Sequence, residues 1–238
     1  MGEKTYRCDL HIHSCLSPCA DLLMTPGNII QQALKLGLDC IAITDHNTAG
    51  NVAVAMELGK QYGLTIIPGM EVETREEVHL LCFFPVLEKL LAWDRVVADN
   101  LPQKENAEEH IGYQLLTDLA DQYAAKDHRL LATATYLSVD EVVTTVNRLG
   151  GMVVPSHVDR RVNSILSQLG FIPPDLGIRV IEITRHSNLE QFFGENPHAK
   201  GYSYITGSDS HYLTDLGRCG QGQVGFPLIK EMAWLMPG

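Results

Sequence analysis

The residues in this chain best equipped for chemistry are histidines and carboxylates, and they recur in one kind of place. His11 and His13 flank Ile12 at the end of the strand-like run 7–13. On an extended strand, side chains two apart share a face, so both imidazoles can address one metal ion. Asp45 and His46 close the apolar run 39–45, Glu71 follows Pro68-Gly69, and His79 opens the next apolar run. His157 ends the run 152–156, and Asp209-Ser210-His211 repeats the two-residue spacing after the last one. An isolated His-x-His is weak, since such pairs are often satisfied core or surface residues. Polar ligand types finishing one apolar strand after another are harder to dismiss, because burying that many uncompensated groups costs several kcal/mol. Metal coordination removes the difficulty. With Asp21 added, six imidazoles and three carboxylates are too many for one tetrahedral ion and suit two or three divalent ions sharing carboxylates and a hydroxide.

Around these lie residues with supporting chemistry. Asp45 is adjacent to His46 and on a regular strand faces the other way, which suits it to orienting a ligand; a turn carboxylate is the plain alternative. Glu182, in the run 180–184, is either a similar orienting group or a residue of the interior, and it stays outside the ligand set. Arg160, Arg161, Arg185 and Arg218 are candidates for phosphate oxygens, with Arg160 and Arg185 the better placed, because guanidinium suits bidentate contact. A lone surface arginine is more often only solvated. His186 is read as an exposed loop histidine. The chemistry these types permit is hydrolysis of a phosphate ester by a metal-bound hydroxide, formed when ions lower the pKa of a bound water to near ~7, with no protein nucleophile.

Strands and helices must hold these groups. The first part of the chain alternates strand-like and helical runs in a βαβ rhythm. A helix over residues 25–36 is capped by Thr25, opened by Pro26 and ended by Gly37. A second is expected at about 52–62, with strands at 64–68 and 78–84. Residues 86–150 break the rhythm and read as a helical insertion, with helices around 87–98 and 107–124 and a third opened by the capping box Ser138/Glu141. Strands are expected again at 152–158, 179–184 and 202–207. Each candidate ligand then lies near the carboxyl end of a strand, which is the active face of β/α barrels.

The 238 residues are compatible with one domain, 1–238, and 45% hydrophobic with 20% charged residues is an ordinary globular composition. The net charge of −11 disfavours binding extended duplex nucleic acid through a basic face, but not a small phosphate ester, nucleotide or short single-stranded oligonucleotide. No stretch approaches the roughly 20 apolar residues that span a bilayer, and the start MGEKTYRCDL lacks a signal-peptide core, so no membrane partner and a cytoplasmic location are expected. The six cysteines form no C-x-x-C pair and are expected to be reduced and mostly buried; Cys15 and Cys19 flank the first His motif but are left out of the site. Oligomeric state is not legible.

The chain resembles the PHP (polymerase and histidinol phosphatase) superfamily, most of all its stand-alone bacterial phosphoesterases. Asp9-Leu10-His11-Ile12-His13-Ser14 is similar to the first motif, Thr44-Asp45-His46-Asn47 to the second, Pro155-Ser156-His157-Val158-Asp159 to the third, and Ser208-Asp209-Ser210-His211 to the fourth. The resemblance implies an α/β fold, a distorted seven-stranded (β/α)7 barrel, carrying a trinuclear centre of zinc, manganese or iron. Its implied ligands are His11, His13, Asp21, His46, Glu71, His79, His157, Asp209 and His211. Such proteins often place the first acidic ligand eight residues after the first histidine, where this chain has Cys19; Asp21 is assigned instead. Competing readings are a histidinol-phosphatase-type enzyme, a non-catalytic PHP module, which should have lost ligands, and a metal-dependent amidohydrolase. The last commonly has a bridging lysine at a strand end, and no lysine here ends a convincing core strand.

Overall fold

The structure is a computed structural model that describes residues 6–220 and 223–236. Its strands and helices run in the order β1 (Arg7–Ile12), α1 (Pro26–Leu36), β2 (Cys40–Ile43), α2 (Val52–Tyr62), β3 (Thr65–Ile66), β4 (Gly69–Glu73), β5 (His79–Phe83), α3 (Leu87–Asp99) and α4 (Glu108–Ile111). There follow β6 (Leu115–Thr117), β7 (Tyr123–Lys126), α5 (Val139–Arg148), β8 (Met152–Pro155), α6 (Ile165–Leu169), β9 (Val180–Glu182), α7 (Leu189–Glu195) and β10 (Ser203–Ile205). The architecture is α/β. The expected caps are in place: Thr25 accepts from the Asn28 amide, Gly37 closes α1 in the left-handed region, and Ser138 and Glu141 form the capping box of α5.

The strands form several small sheets, not one closed barrel sheet. β1 pairs in parallel with β2, and β2 with β3; β4, β5 and β8 form an antiparallel ladder; β9 and β10 pair in parallel. Single bridges join sheets, His46 to Glu71 and Ile12 to Ser210, and the Val158 amide donates to the Glu182 carbonyl. β5 runs against both of its neighbours, so His79 at its start lies at the same end as residues that finish parallel strands.

Two layers stack between the strands. The lower is apolar and includes Leu10, Ala42, Leu81, Val154, Val180 and Ile205, with Met232 and Leu235 packed in the same cluster. One strand step further along, period-two alternation places His79, Ser156 and Glu182 above Leu81, Val154 and Val180. β1 reaches this layer by a register shift: it has one more residue than β2 between Asp9/Ile41 and Ile12/Ile43. Cys8 and Leu10 therefore join the inner cluster, whereas Ile12 packs with Ile29, Ile30 and Ile43 under α1 and α2. The extra residue re-aims His11 and His13 to the inside.

The segment 86–150 is mixed, not helical. α3 and α5 are there, but 107–124 contains one helical turn and then the β6/β7 hairpin. Gly112, at φ 119°, ends the turn, and the amide of Leu115 bonds to the Cys15 carbonyl. Asn51 accepts from the Thr117 amide and donates to the Leu115 carbonyl. Tertiary bonds to Cys15 after β1 and to Asn51 at the start of α2 thus override the helical pattern of Leu115, Leu116 and Leu119. The cysteine expectation also fails at one pair: Cys8 and Cys40, register partners on neighbouring strands with Cα atoms 4.7 Å apart, are disulfide-bonded. Cys15, Cys19, Cys82 and Cys219 are free.

Candidate metal centre

Glu71 on β4 is the hub. Its Oε1 lies 3.2 Å from His11 Nε2, 3.3 Å from His79 Nδ1 and 3.5 Å from His157 Nε2; its Oε2 lies 3.2 Å from His46 Nδ1 and 3.4 Å from His13 Nε2. Asp209 Oδ1 is 3.3 Å from His11 Nε2 and 3.2 Å from His13 Nε2, and the His211 ring stacks on His13 with centroids 4.4 Å apart. Three overlapping groups have donor atoms within 4.8 Å of one another: His13/His46/His211, His11/His13/Glu71 and His46/Glu71/His79.

Three of the imidazoles at the hub, those of His11, His13 and His79, are held from behind. His11 Nδ1 lies 3.0 and 2.9 Å from the two oxygens of Glu182, which makes Nδ1 a donor to that carboxylate and turns Nε2 toward Glu71. Glu182 also accepts from the His157 amide. Gly207 makes this approach possible, because a Cβ there would collide with Glu182 Oε1 and the Cβ of His11. His13 Nδ1 contacts Ser17 Oγ at 3.0 Å, and Ser17 in turn donates to Asp45 Oδ1 at 2.7 Å. Asp45 also accepts from the Ser14 amide and hydroxyl. Asp45 is thus engaged by Ser14 and Ser17 and is not among the grouped donor residues. On the far side of His79, Nε2 meets the Asn163 side-chain amide at 3.0 Å.

Among the described residues six non-glycine positions have positive φ, and four of them border the site: Asn47 (φ 54°), His157 (φ 32°), Asn163 (φ 55°) and Asp209 (φ 49°). Such conformations cost of order 1–3 kcal/mol and persist where surroundings enforce them. For Asn47 the enforcement is visible, since its side chain donates to the Leu131 and Thr133 carbonyls and accepts from the Glu73 amide.

Electrostatics follow from crowding. Burial works against the charged form of Glu71, yet His11 and His79 hold its carboxyl well below the usual range; Asp209 is likewise held well down against burial, by His11 and His13. Burial disfavours charge on His11 too, but Glu182, Glu71 and Asp209 raise it well above an ordinary imidazole. Burial and the neighbouring His13 push His46 well below its usual value and His211 down to about 4. Asp45 is raised by burial, partly offset by its hydrogen bonds from the serines.

The donor set fits divalent ions. Glu71 Oε1 is buried and has no well-formed hydrogen bond despite the three imidazole nitrogens around it, and His157 Nδ1 is also buried without a partner. Imidazole nitrogens and carboxylate oxygens converging in this way are ligands suited to zinc, manganese or iron.

Asp21 stands apart from the donor groups. Its Oδ1 accepts from the Leu23 amide, a local turn bond, and its backbone amide donates to the His211 carbonyl. Cys19, two residues earlier, lies within electrostatic reach of Glu71, Asp45 and Asp209.

Of the arginines, Arg160 Nη2 contacts Asp209 Oδ2 at 2.5 Å, and Arg185 is anchored on the Asp215 side chain and on the carbonyls of Asp215 and Arg218. Both line a cavity of about 240 Å³ together with His157, Asp159, Glu182 and Asp209. Asp159 positions this wall by accepting from both the amide and the hydroxyl of Thr184. Sequence reasoning left Ser17, Asn163 and Asp159 without roles. Asp159 stood inside a recognised motif, but the other two are loop residues with no pattern of their own.

Comparisons with known proteins agree with this geometry. The phosphoribosyl 1,2-cyclic phosphate 1,2-diphosphodiesterase of Eggerthella lenta is 35% identical over 78 residues, covering 31% of this chain and 29% of that protein. The 5'-3' exoribonuclease Rnm of Salmonella typhimurium is 35% identical over 78 residues, covering 31% and 26%. The chain thus spans well under half the length of these relatives. The lesion-specific endonuclease Q of Pyrococcus furiosus shares the fold at a TM-score of 0.66 and 21% identity, over 90% of this chain and 50% of that one. The PHP domain family matches residues 9–161, from the strand that bears His11 and His13 through the loop that bears His157 and Arg160, and the chain belongs to that family.

Proposed function

We propose that the chain is a metal-dependent phosphoesterase that hydrolyses a small phosphate ester, a nucleotide or a short oligonucleotide end. One observation carries the reading: a single buried carboxylate, Glu71, lies within 3.5 Å of nitrogens from five imidazoles, those of His11, His13, His46, His79 and His157. That surplus of donors supports a centre of two or three ions of zinc, manganese or iron, with Asp209 and His211 completing it and Asp21 as the weakest member. Ions held there would supply Lewis acidity and a water activated near neutral pH.

The remaining roles fall to the chain itself. Glu182, and Asp45 through Ser17, keep the lone pairs of His11 and His13 turned to the centre. Arg160 and Arg185, in the wall of the adjoining cavity, would receive the non-bridging phosphate oxygens as the P–O bond is attacked in line. The single bridges between the small sheets support reading the strands as a distorted seven-stranded barrel, and residues 1–238 as one domain. The net charge of −11 supports small or single-stranded substrates over an extended duplex.

The test is turnover by protein reconstituted with zinc, manganese or ferrous iron, on phosphomonoesters, dinucleotides, short RNA and long duplex DNA. Chelator-sensitive hydrolysis of the small substrates is expected. Turnover of long duplex alone, or hydrolysis indifferent to chelator, contradicts the reading.

A further inference from the structure

The cavity beside His157 and Asp209 has a neighbour across Arg185. A second cavity of about 710 Å³ shares Thr184, Arg185 and His186 with it, so these residues stand at a junction between the two. The smaller space, about 240 Å³, borders the metal centre and holds both candidate phosphate clamps. Beyond the junction the character changes. The residues that line the larger space include the aromatic Tyr204 and Phe226, the polar Asn188 and Thr206, and the acidic Glu190. Among the described residues, Arg185 is its only permanent cation, and Arg185 sits at the junction and is anchored by Asp215.

We propose that the larger cavity is the leaving-group subsite and takes an uncharged, ring-bearing group, a nucleoside, while its single phosphate lies in the smaller cavity. This rests on the phosphoesterase reading and narrows it to nucleoside monophosphates. Size is sufficient, since pockets of roughly 300–1,000 Å³ hold small ligands of this order. Aromatic walls suit a base, because base–aromatic stacking contributes whichever base is present. The amide of Asn188 and the hydroxyl of Thr206 offer hydrogen bonds to ribose or base edges. Charge sets the limit: Arg185, at the junction, is the one permanent cation among the lining residues and Glu190 the one acid, so the larger cavity offers a second phosphate no clamp of its own. A nucleoside bisphosphate or an oligonucleotide therefore fits less well than a monophosphate.

Binding and turnover test different parts of this. Adenosine and uridine, which carry no phosphate, should bind saturably to the metal-loaded protein in calorimetry or ligand-observed NMR. Nucleoside 5'-monophosphates should show a KM at least tenfold below that of glycerol 3-phosphate and below that of nucleoside 3',5'-bisphosphates. Ser187→Trp, in the wall of the larger cavity, and Thr206→Trp, as a second filling variant, should abolish nucleoside binding and raise the monophosphate KM at least tenfold more than the glycerol phosphate KM. Absence of nucleoside binding to the unmodified protein at millimolar concentration overturns the subsite without involving any variant. Equal loss for both esters, or a preference for the bisphosphate, also overturns it. Nucleoside binding lost in both variants, with no ester hydrolysed by any metal form, keeps the subsite and refutes the phosphoesterase reading.

Discussion

His11 and Glu182, 171 positions apart in the chain, meet with the imidazole Nδ1 between the two carboxylate oxygens at 3.0 and 2.9 Å, both side chains buried. The contact fixes the His11 ring with Nδ1 toward Glu182 and Nε2 toward Glu71, and is the clearest case in the structure of one residue acting through another. Removing such a partner typically costs about tenfold to a hundredfold in metal affinity. Glu182→Gln should therefore bind metal more weakly by that factor, measured by competition with a chelating dye, while circular dichroism stays native. Unchanged affinity would make the contact merely structural. Gly207→Ala, whose methyl group would collide with Glu182 and His11, should show the same loss with the carboxylate still present.

Acid should destabilise the metal-free protein in a defined window. His46 and His211 are held below an ordinary imidazole when folded, His211 down to about 4, so the unfolded chain binds protons that the folded chain refuses as pH falls from about 6.5. Stability must drop between pH 6.5 and 4. His11, raised well above 6.5, keeps its proton throughout and opposes this slope only near pH 6.5, where the unfolded imidazole is still taking up its own. Thermal denaturation of chelated protein should show a falling Tm across the window, and His211→Gln should flatten it. A Tm independent of pH there would contradict the assignment.

Much of this site was legible from residue types at strand ends, because a buried histidine or carboxylate is conspicuous among Ile, Val and Leu. Glu182 was visible as an acid in an apolar run, but its partner was not, since pairing across 171 residues follows from strand order. The His11/His13 spacing was readable, whereas the register shift in β1 that turns both inward depends on its pairing with β2. The β6/β7 hairpin was missed for a related reason: local helical periodicity loses to hydrogen bonds with Cys15 and Asn51, far away in sequence. Asp21 was chosen by type and proximity, and its Oδ1 accepts a turn bond from the Leu23 amide.

Arg160 separates clamps from ligands. Arg160→Ala should leave metal content at the wild-type level, because the guanidinium touches Asp209 Oδ2 and not the Oδ1 atom that faces His11 and His13. The KM for a phosphate ester should rise about tenfold or more, in line with loss of a charge-assisted contact of roughly 1.5–3 kcal/mol. Metal loss in this variant would move Arg160 from substrate binding to the architecture of the centre.

Metal should also hold the fold together, since an ion that binds only the folded chain stabilises it by mass action, about 2.7 kcal/mol at a concentration 100 times Kd. Chelation should lower Tm by several degrees and re-addition restore it. His13→Ala should bind less metal and show a smaller shift. A Tm blind to metal would mean that the histidines satisfy one another without ions.

The central claim is the metal cluster, and metal stoichiometry tests it most directly. Protein reconstituted with zinc, manganese or ferrous iron, freed of loose ions and analysed by elemental mass spectrometry, should carry two or three equivalents per chain, falling in His11→Ala and Asp209→Ala. One equivalent or less in fully reconstituted protein, or a content unchanged by those substitutions, would contradict the account.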